Sequence, residues 1–174
     1  MKHIHRYTIA TSLLLLSTAF ISHASSTQTL QQEKDFVALA ENMRENSKPL
    51  VLAFDAEHCH YCARLQADHL DPMLISDEYQ HVMIRSIDLD GGYNITDFDG
   101  QIVEASELSK RYKVRLTPTL LFLNADGEEI AKRMLGYNTP ELYGAYLDRA
   151  IDRAVEQMRN DTQPTEEAAV ITSE

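Results

Sequence analysis

Cys59-His60-Tyr61-Cys62 contains both cysteines of this 174-residue chain. Thiols at i and i+3 can close a small disulfide ring and exchange two electrons with another dithiol. The pair sits where an apolar run, Pro49-Leu-Val-Leu-Ala-Phe54, meets a helix-like stretch from Ala63 to Leu70. At such a junction the first sulfur lies beside the unsatisfied N–H groups and positive dipole end of the helix, which favour thiolate over thiol. The second lies one helical turn along. So short a ring constrains the unfolded chain little, which makes it a site for electron exchange rather than a structural staple.

Two metal chemistries are the alternatives to weigh. His58, Cys59, His60, Cys62 and His69 are all donors that suit zinc or copper. Neighbours in sequence rarely converge on one ion without strain, and no second cysteine pair exists. No metal ligand set and no cofactor is therefore expected, and His69 reads as a helix-surface residue. The Asp- and Gly-rich stretch from Asp88 to Gly100 lacks the glycine and ligand spacing of an EF-hand and reads as turn chemistry. Asn94-Ile-Thr96 matches a glycosylation sequon, which would carry no meaning if the source is bacterial.

The elements around the pair follow from periodicity. Phe36, Val37, Leu39, Ala40 and Met43 mark a helix over Leu30–Asn46, broken at Asn46-Ser-Lys-Pro49. Leu50–Phe54 is apolar throughout, as in a strand covered on both faces. The helix opening at the cysteines runs to Leu70, where Asp71-Pro72 ends or kinks it. His81–Asp88 reads as a second strand, followed by a loop over Asp90–Gly100 and a short helix over Glu104–Tyr112. Thr119–Leu123 and Glu129–Met134 flank the turn Asn124-Ala-Asp-Gly127 and form a hairpin. Thr139 caps a last helix with Pro140 in its first turn, running to Met158, where Tyr143, Tyr146 and Met158 are packing residues. This order predicts an α/β fold, a central mixed sheet of about four strands flanked by helices. The cysteines fall at the carboxyl end of a central strand, where such folds place their chemistry.

Composition bounds where this happens. Lys2 and Arg6, the apolar run around Leu13–Leu16, and the small residues of Ser22-His-Ala24 predict a signal peptide over 1–24. A polar leader (25–32), a domain over 33–158 and a disordered acidic tail (159–174) complete the organisation. The chain carries 16 Lys and Arg against 27 Asp and Glu, a formal net charge of −11. That balance excludes nucleic acid and anionic membrane surfaces as partners, since both require basic side chains against phosphate. Export with a lone CxxC points to redox catalysis in an oxidising compartment.

Across roughly Glu33 to Met158 the chain resembles thioredoxin. Leu52-Ala-Phe-Asp-Ala-Glu-His-Cys-His-Tyr-Cys62, Tyr112-Lys-Val-Arg-Leu-Thr-Pro-Thr-Leu-Leu-Phe122 and the Asn124–Gly127 hairpin leading to Gly136 carry the resemblance. Thr96-Asp-Phe-Asp-Gly100 before Glu107–Val114 is similar to the SoxW-type periplasmic thioredoxins of bacterial sulfur oxidation. The departures are specific. His58 replaces the tryptophan before the first cysteine, and the chain has no Trp. Ala53 replaces the buried aspartate that moves protons beneath the cysteines, so that help to Cys62 comes from elsewhere (water, His58 or Glu57) or is weak. His60-Tyr61 replaces Gly-Pro, and Tyr61 and Thr117 resemble the disulfide isomerases.

The resemblance implies a thioredoxin fold and a thiol–disulfide oxidoreductase. It makes Cys59 the exposed nucleophile and Cys62 the resolving thiol, with His60, Tyr61 and His58 tuning the thiolate. It makes Thr117 and a cis Pro118 the substrate-binding backbone. The partners implied are protein disulfides or thiols and a membrane electron donor, with the chain monomeric and acting as a reductase. A disulfide oxidase or isomerase is the alternative, though no dimerisation domain or inserted helical domain is present to favour either. A copper chaperone using Cys and His is the alternative from another class.

Overall fold

Six residues behind Pro49, Leu50–Asp55, form the central strand β1, and all but the last are buried. In the computed structural model, which describes residues 29–162, β1 pairs in parallel with β2 (Met83–Asp88) and antiparallel with β5 (Thr119–Leu123). β5 in turn pairs antiparallel with β6 (Glu129–Leu135), giving the order β2-β1-β5-β6. The uniform apolarity of β1 and β5 has its reason in this order, because each is an inner strand with helices on both faces. The expected signal peptide, the first half of the expected leader (25–28) and the tail from residue 163 onward lie outside the described residues.

Strand alternation separates two cores. Leu50, Leu52, Phe54, Leu121 and Leu123 face α1 (Phe36–Asn46) and, further on, Ala105 and Leu108 of α4 (Ala105–Arg111). Val51, Ala53, Leu120 and Phe122 face Leu65 of α2 (His60–Leu65), Met73 of α3 (Asp71–Ile75), and Tyr143, Leu147, Ile151 and Ala154 of α5 (Pro140–Thr162). This is the four-stranded mixed sheet with flanking helices that the sequence predicts.

Several elements depart from expectation. α1 begins at Phe36 rather than Leu30, because Asp35 caps it by accepting the Ala38 N–H at 3.0 Å. The residues before the cap run extended, with Gln32 bridging Ser86 and Asp35 bridging Thr96 in parallel. The loop expected over Asp90–Gly100 contains β3 (Asn94–Thr96), paired antiparallel with β4 (Ile102–Glu104). β2 begins at Met83, two residues later than expected.

Pro72 does not end the helix that starts at the cysteines. A turn of wider, π-type winding over Gln66–Leu70 joins α2 to α3, and Leu65, Gln66, Leu70 and Asp71 all keep right-handed helical angles. The Asp71 N–H reaches back to the Gln66 carbonyl, so the extra residue makes room for the proline ring. His69 is no simple surface residue, since its ring packs against Tyr137 and Tyr143 at 5.7 and 5.3 Å between centroids.

α5 extends to Thr162, beyond the expected end at Met158, so 159–162 is helix rather than disordered tail. Thr139 precedes it with φ 52°, in the left-handed region rather than the extended conformation of an N-cap, and its carbonyl accepts the Leu142 N–H. Tyr143 and Met158 are buried as expected, whereas Tyr146 is half exposed beneath the Arg149 guanidinium.

Candidate functional site

β1 ends at Asp55, and the chain turns through Ala56-Glu57-His58 before α2. The Cys59 N–H closes that turn on the Ala56 carbonyl at 3.2 Å. His58 takes φ 63°, a left-handed conformation uncommon for a residue with a side chain. Two hydrogen bonds fasten the turn to the segment after β2: Leu89 N–H to the Asp55 carbonyl at 3.0 Å, and Glu57 N–H to Asp90 Oδ2 at 3.0 Å. The Asp-rich segment thus braces the cysteine loop.

Cys59 and Cys62 form a disulfide, with Cα atoms 5.2 Å apart. Cys59 is the N-cap of α2. Its carbonyl accepts the Ala63 N–H at 3.1 Å and its sulfur accepts the Cys62 N–H at 3.2 Å. Cys59 is half-buried while Cys62 is buried. The helix-end donor inferred from spacing is thus a specific N–H.

The other expected site residues divide by position. His58, His60 and Tyr61 are all exposed, with His60 and Tyr61 edge-to-face at 5.8 Å between centroids. His58 Nε2 lies 3.5 Å from Glu57 Oε1. The Thr117–Pro118 peptide is cis. Phe54 pairs with Thr119, which brings Thr117 and Pro118 to the same end of the sheet as the cysteine loop. The Pro118 carbonyl accepts the Gly136 N–H at 2.8 Å, and the Thr119 hydroxyl donates to the Leu116 carbonyl at 2.8 Å.

A cleft of about 500 Å³ opens beside the disulfide, walled by Cys59, Cys62, Gln66, Asp55, Asp88 and the Glu57–His60 loop. Thr117 and Pro118 are not among its walls. Among the described residues, no three His, Cys, Asp or Glu side chains gather where one metal ion could reach them.

Asp55 is the site residue that sequence reasoning missed. β1 and β2 run parallel with Asp55 opposite Asp88, so both strands end in a carboxylate at the cleft. Asp55 Oδ1 is shut off from solvent and has no hydrogen-bond partner within the protein. Burial, and then the neighbouring Asp88 charge, push its carboxyl up to about 6. Asp88 Oδ1 accepts the Asp90 N–H, and the Asp88 N–H donates to the Tyr93 hydroxyl. The signal lay in parity, for Asp55 continues the Val51 and Ala53 face that turns toward α2.

A family model described as a thioredoxin-like domain matches residues 36–151. The disulfide bond reductase DsbH of Chlamydia pneumoniae is 26% identical over 134 residues, covering 69% of this chain and 78% of that protein. A solved DsbH oxidoreductase is similar at 22% identity and TM-score 0.49, covering 84% of this chain and 95% of that one. A thioredoxin-fold protein from Helicobacter pylori is similar at 19% identity and TM-score 0.46, covering 67% and 86%. The matched model is that of the broad domain and does not single out a SoxW-type subgroup.

Proposed function

The chain belongs to the thioredoxin-like domain family as a thiol–disulfide oxidoreductase, and we propose that it works in the periplasm as a reductase of protein disulfides. Residues 1–24 serve as its export signal, 25–32 as a leader, 33–158 as the catalytic domain, and the acidic end as a tail. Cys59 is the attacking sulfur and Cys62 the resolving one. The observation that carries this assignment is the sulfur of half-buried Cys59 at the N-cap of α2, accepting the Cys62 N–H at 3.2 Å. On reduction the same N–H and the helix dipole stabilise a Cys59 thiolate.

The thiolate attacks one sulfur of a substrate disulfide, and the other substrate sulfur leaves with the bonding electron pair. Cys62 then attacks Cys59 in the mixed disulfide, freeing the second substrate thiol and closing the Cys59–Cys62 ring. Each turnover leaves the pair oxidised by two electrons, so a membrane dithiol donor restores it. His60, Tyr61 and His58 tune the thiolate from the exposed rim. Thr117 and Pro118, at the same sheet end, offer backbone to an extended substrate, which the monomeric domain admits from one side. Support for the reductive direction is that the Chlamydia relative is named a disulfide bond reductase.

Insulin reduction with dithiothreitol tests the assignment. Cys59→Ser is expected to fall to the uncatalysed rate, and Cys62→Ser to accumulate a covalent mixed disulfide with substrate. Undiminished turnover in Cys59→Ser overturns it. Direction is read from the reduction potential of the pair, near about −270 mV for a reductase and near about −120 mV for an oxidase.

A further inference from the structure

The cleft beside the disulfide holds a carboxyl that the exchange just described does not use. Asp55 lies four residues before Cys59 and two after Ala53, on the strand face that packs against Leu65 of α2, the helix bearing Cys62. Asp55 and Cys62 wall the same cleft. An acceptor oxygen shut off from solvent with no partner costs stability, so structural economy does not explain its place. A proton acceptor beside a buried thiol needs this state, in which one lone pair is left open.

We propose that Asp55 is the proton acceptor for Cys62 in the resolving step, through one water held in the cleft. The inference rests on Cys62 being the resolving sulfur. In that step the Cys62 S–H gives its proton by way of the water to the Asp55 carboxylate. The Cys62 sulfur forms its bond to Cys59, and the bond between Cys59 and the substrate sulfur breaks. The electron pair leaves on the substrate sulfur, which takes up a proton from solvent, while Asp55 returns its own to solvent. The protein pair is oxidised and the substrate reduced, by two electrons each.

The surroundings suit the role. Asp88 faces Asp55 from β2, and its charge adds to burial in making the Asp55 carboxyl a stronger base than an ordinary one. Tyr93 approaches from beyond β2, Glu33 acts on Tyr93 from the N-terminal segment, and Glu57, His58 and His60 line the mouth of the cleft. Glu57 and His58 are both strongly exposed, whereas Asp55 Oδ1 is shut off from solvent and Cys62 is buried.

Stopped-flow mixing of the reduced full chain with a peptide disulfide, from pH 5 to 9, separates mixed-disulfide formation from its resolution. Asp55→Asn is expected to leave the first phase within about twofold and to slow the second by about tenfold or more at pH 7. It is also expected to abolish the ionisation near pH 6 in the second phase. Asp88→Asn, which keeps the acceptor and removes the like charge, moves that ionisation to lower pH. Glu57→Gln keeps the wild-type profile. A second phase in Asp55→Asn with wild-type rate and pH profile overturns the proposal, as does an equal loss in Glu57→Gln. The premise fails separately: if Cys62→Ser accumulates no mixed disulfide, the resolving assignment falls whatever Asp55 does.

Discussion

A carboxyl whose folded-state pKa is about 6 against an ordinary 3.8 makes the folded protein the tighter proton binder between those two values. By linkage, Asp55 costs stability as pH rises through that window, and the whole cost is present above about pH 6. The difference corresponds to roughly 3 kcal/mol in full, and solvent screening of this partly exposed side chain reduces it to about 1–2 kcal/mol. Asp55→Asn is therefore expected to gain about 1–2 kcal/mol of unfolding free energy at pH 8, and no advantage below about pH 4. Urea denaturation at the two pH values measures it, and a variant less stable at pH 8 contradicts it. The cysteines were legible in the sequence because type and spacing alone announce them. Asp55 was not, because an acid ending an apolar strand reads as a solvent-facing boundary. What desolvates it, α2 and the end of β2, is brought there only by the fold.

The hairpin of β3 and β4 is held by one buried acid. Asp97 Oδ1 accepts the N–H groups of Asp99 and Gln101 at 2.9 and 3.0 Å, and Oδ2 meets Arg111 at 2.6 Å. Burial alone would raise its carboxyl, but the Gln101 N–H, the guanidinium and the Asp99 N–H outweigh it and hold it low. Arg111→Met leaves that carboxylate short of a partner and is expected to cost about 1–3 kcal/mol near neutral pH. Because the folded value is depressed, the contribution is full above about pH 4 and is lost as pH falls through the folded value. The gap between variant and parent in denaturation therefore narrows in acid.

Gly127 ties the next hairpin to the same region. At φ 77° a side-chain carbon there would lie 2.8 Å from the Phe98 ring and 2.9 Å from the Tyr112 hydroxyl, which itself donates to the Gly127 carbonyl. Gly127→Ala is expected to lose about 1–3 kcal/mol in the same assay. The Asn-Ala-Asp-Gly turn was legible because its chemistry is local. The strands β3 and β4 were not, because three-residue strands are too short to show a period. The start of α1 was misplaced because apolar spacing continues past Asp35, and only the cap and the pairing of Gln32 with Ser86 end the helix.

With a net charge of −11, the molecule surrounds its redox pair with a negative field. Basic peptide disulfides are expected to react more than about threefold faster than acidic ones of equal potential at low ionic strength. The two rates converge near about 0.5 M salt, where the Debye length is only a few ångströms. Equal rates at low salt would show that the field does not reach the sulfur. The order of strands and helices was legible from periodicity, because helices on both faces of the sheet demand the long apolar runs of β1 and β5. The bridge of Gln32 to Ser86 carries a consequence for handling the protein. β2 is the last strand of its sheet, and the Ser86 N–H and carbonyl are taken up by Gln31 and Glu33. Clipping the chain after Lys34 uncovers a ready template for strand addition by neighbouring molecules. A protein trimmed there should retain its redox pair yet aggregate on concentration, so the few residues ahead of the first helix work as a guard against self-association.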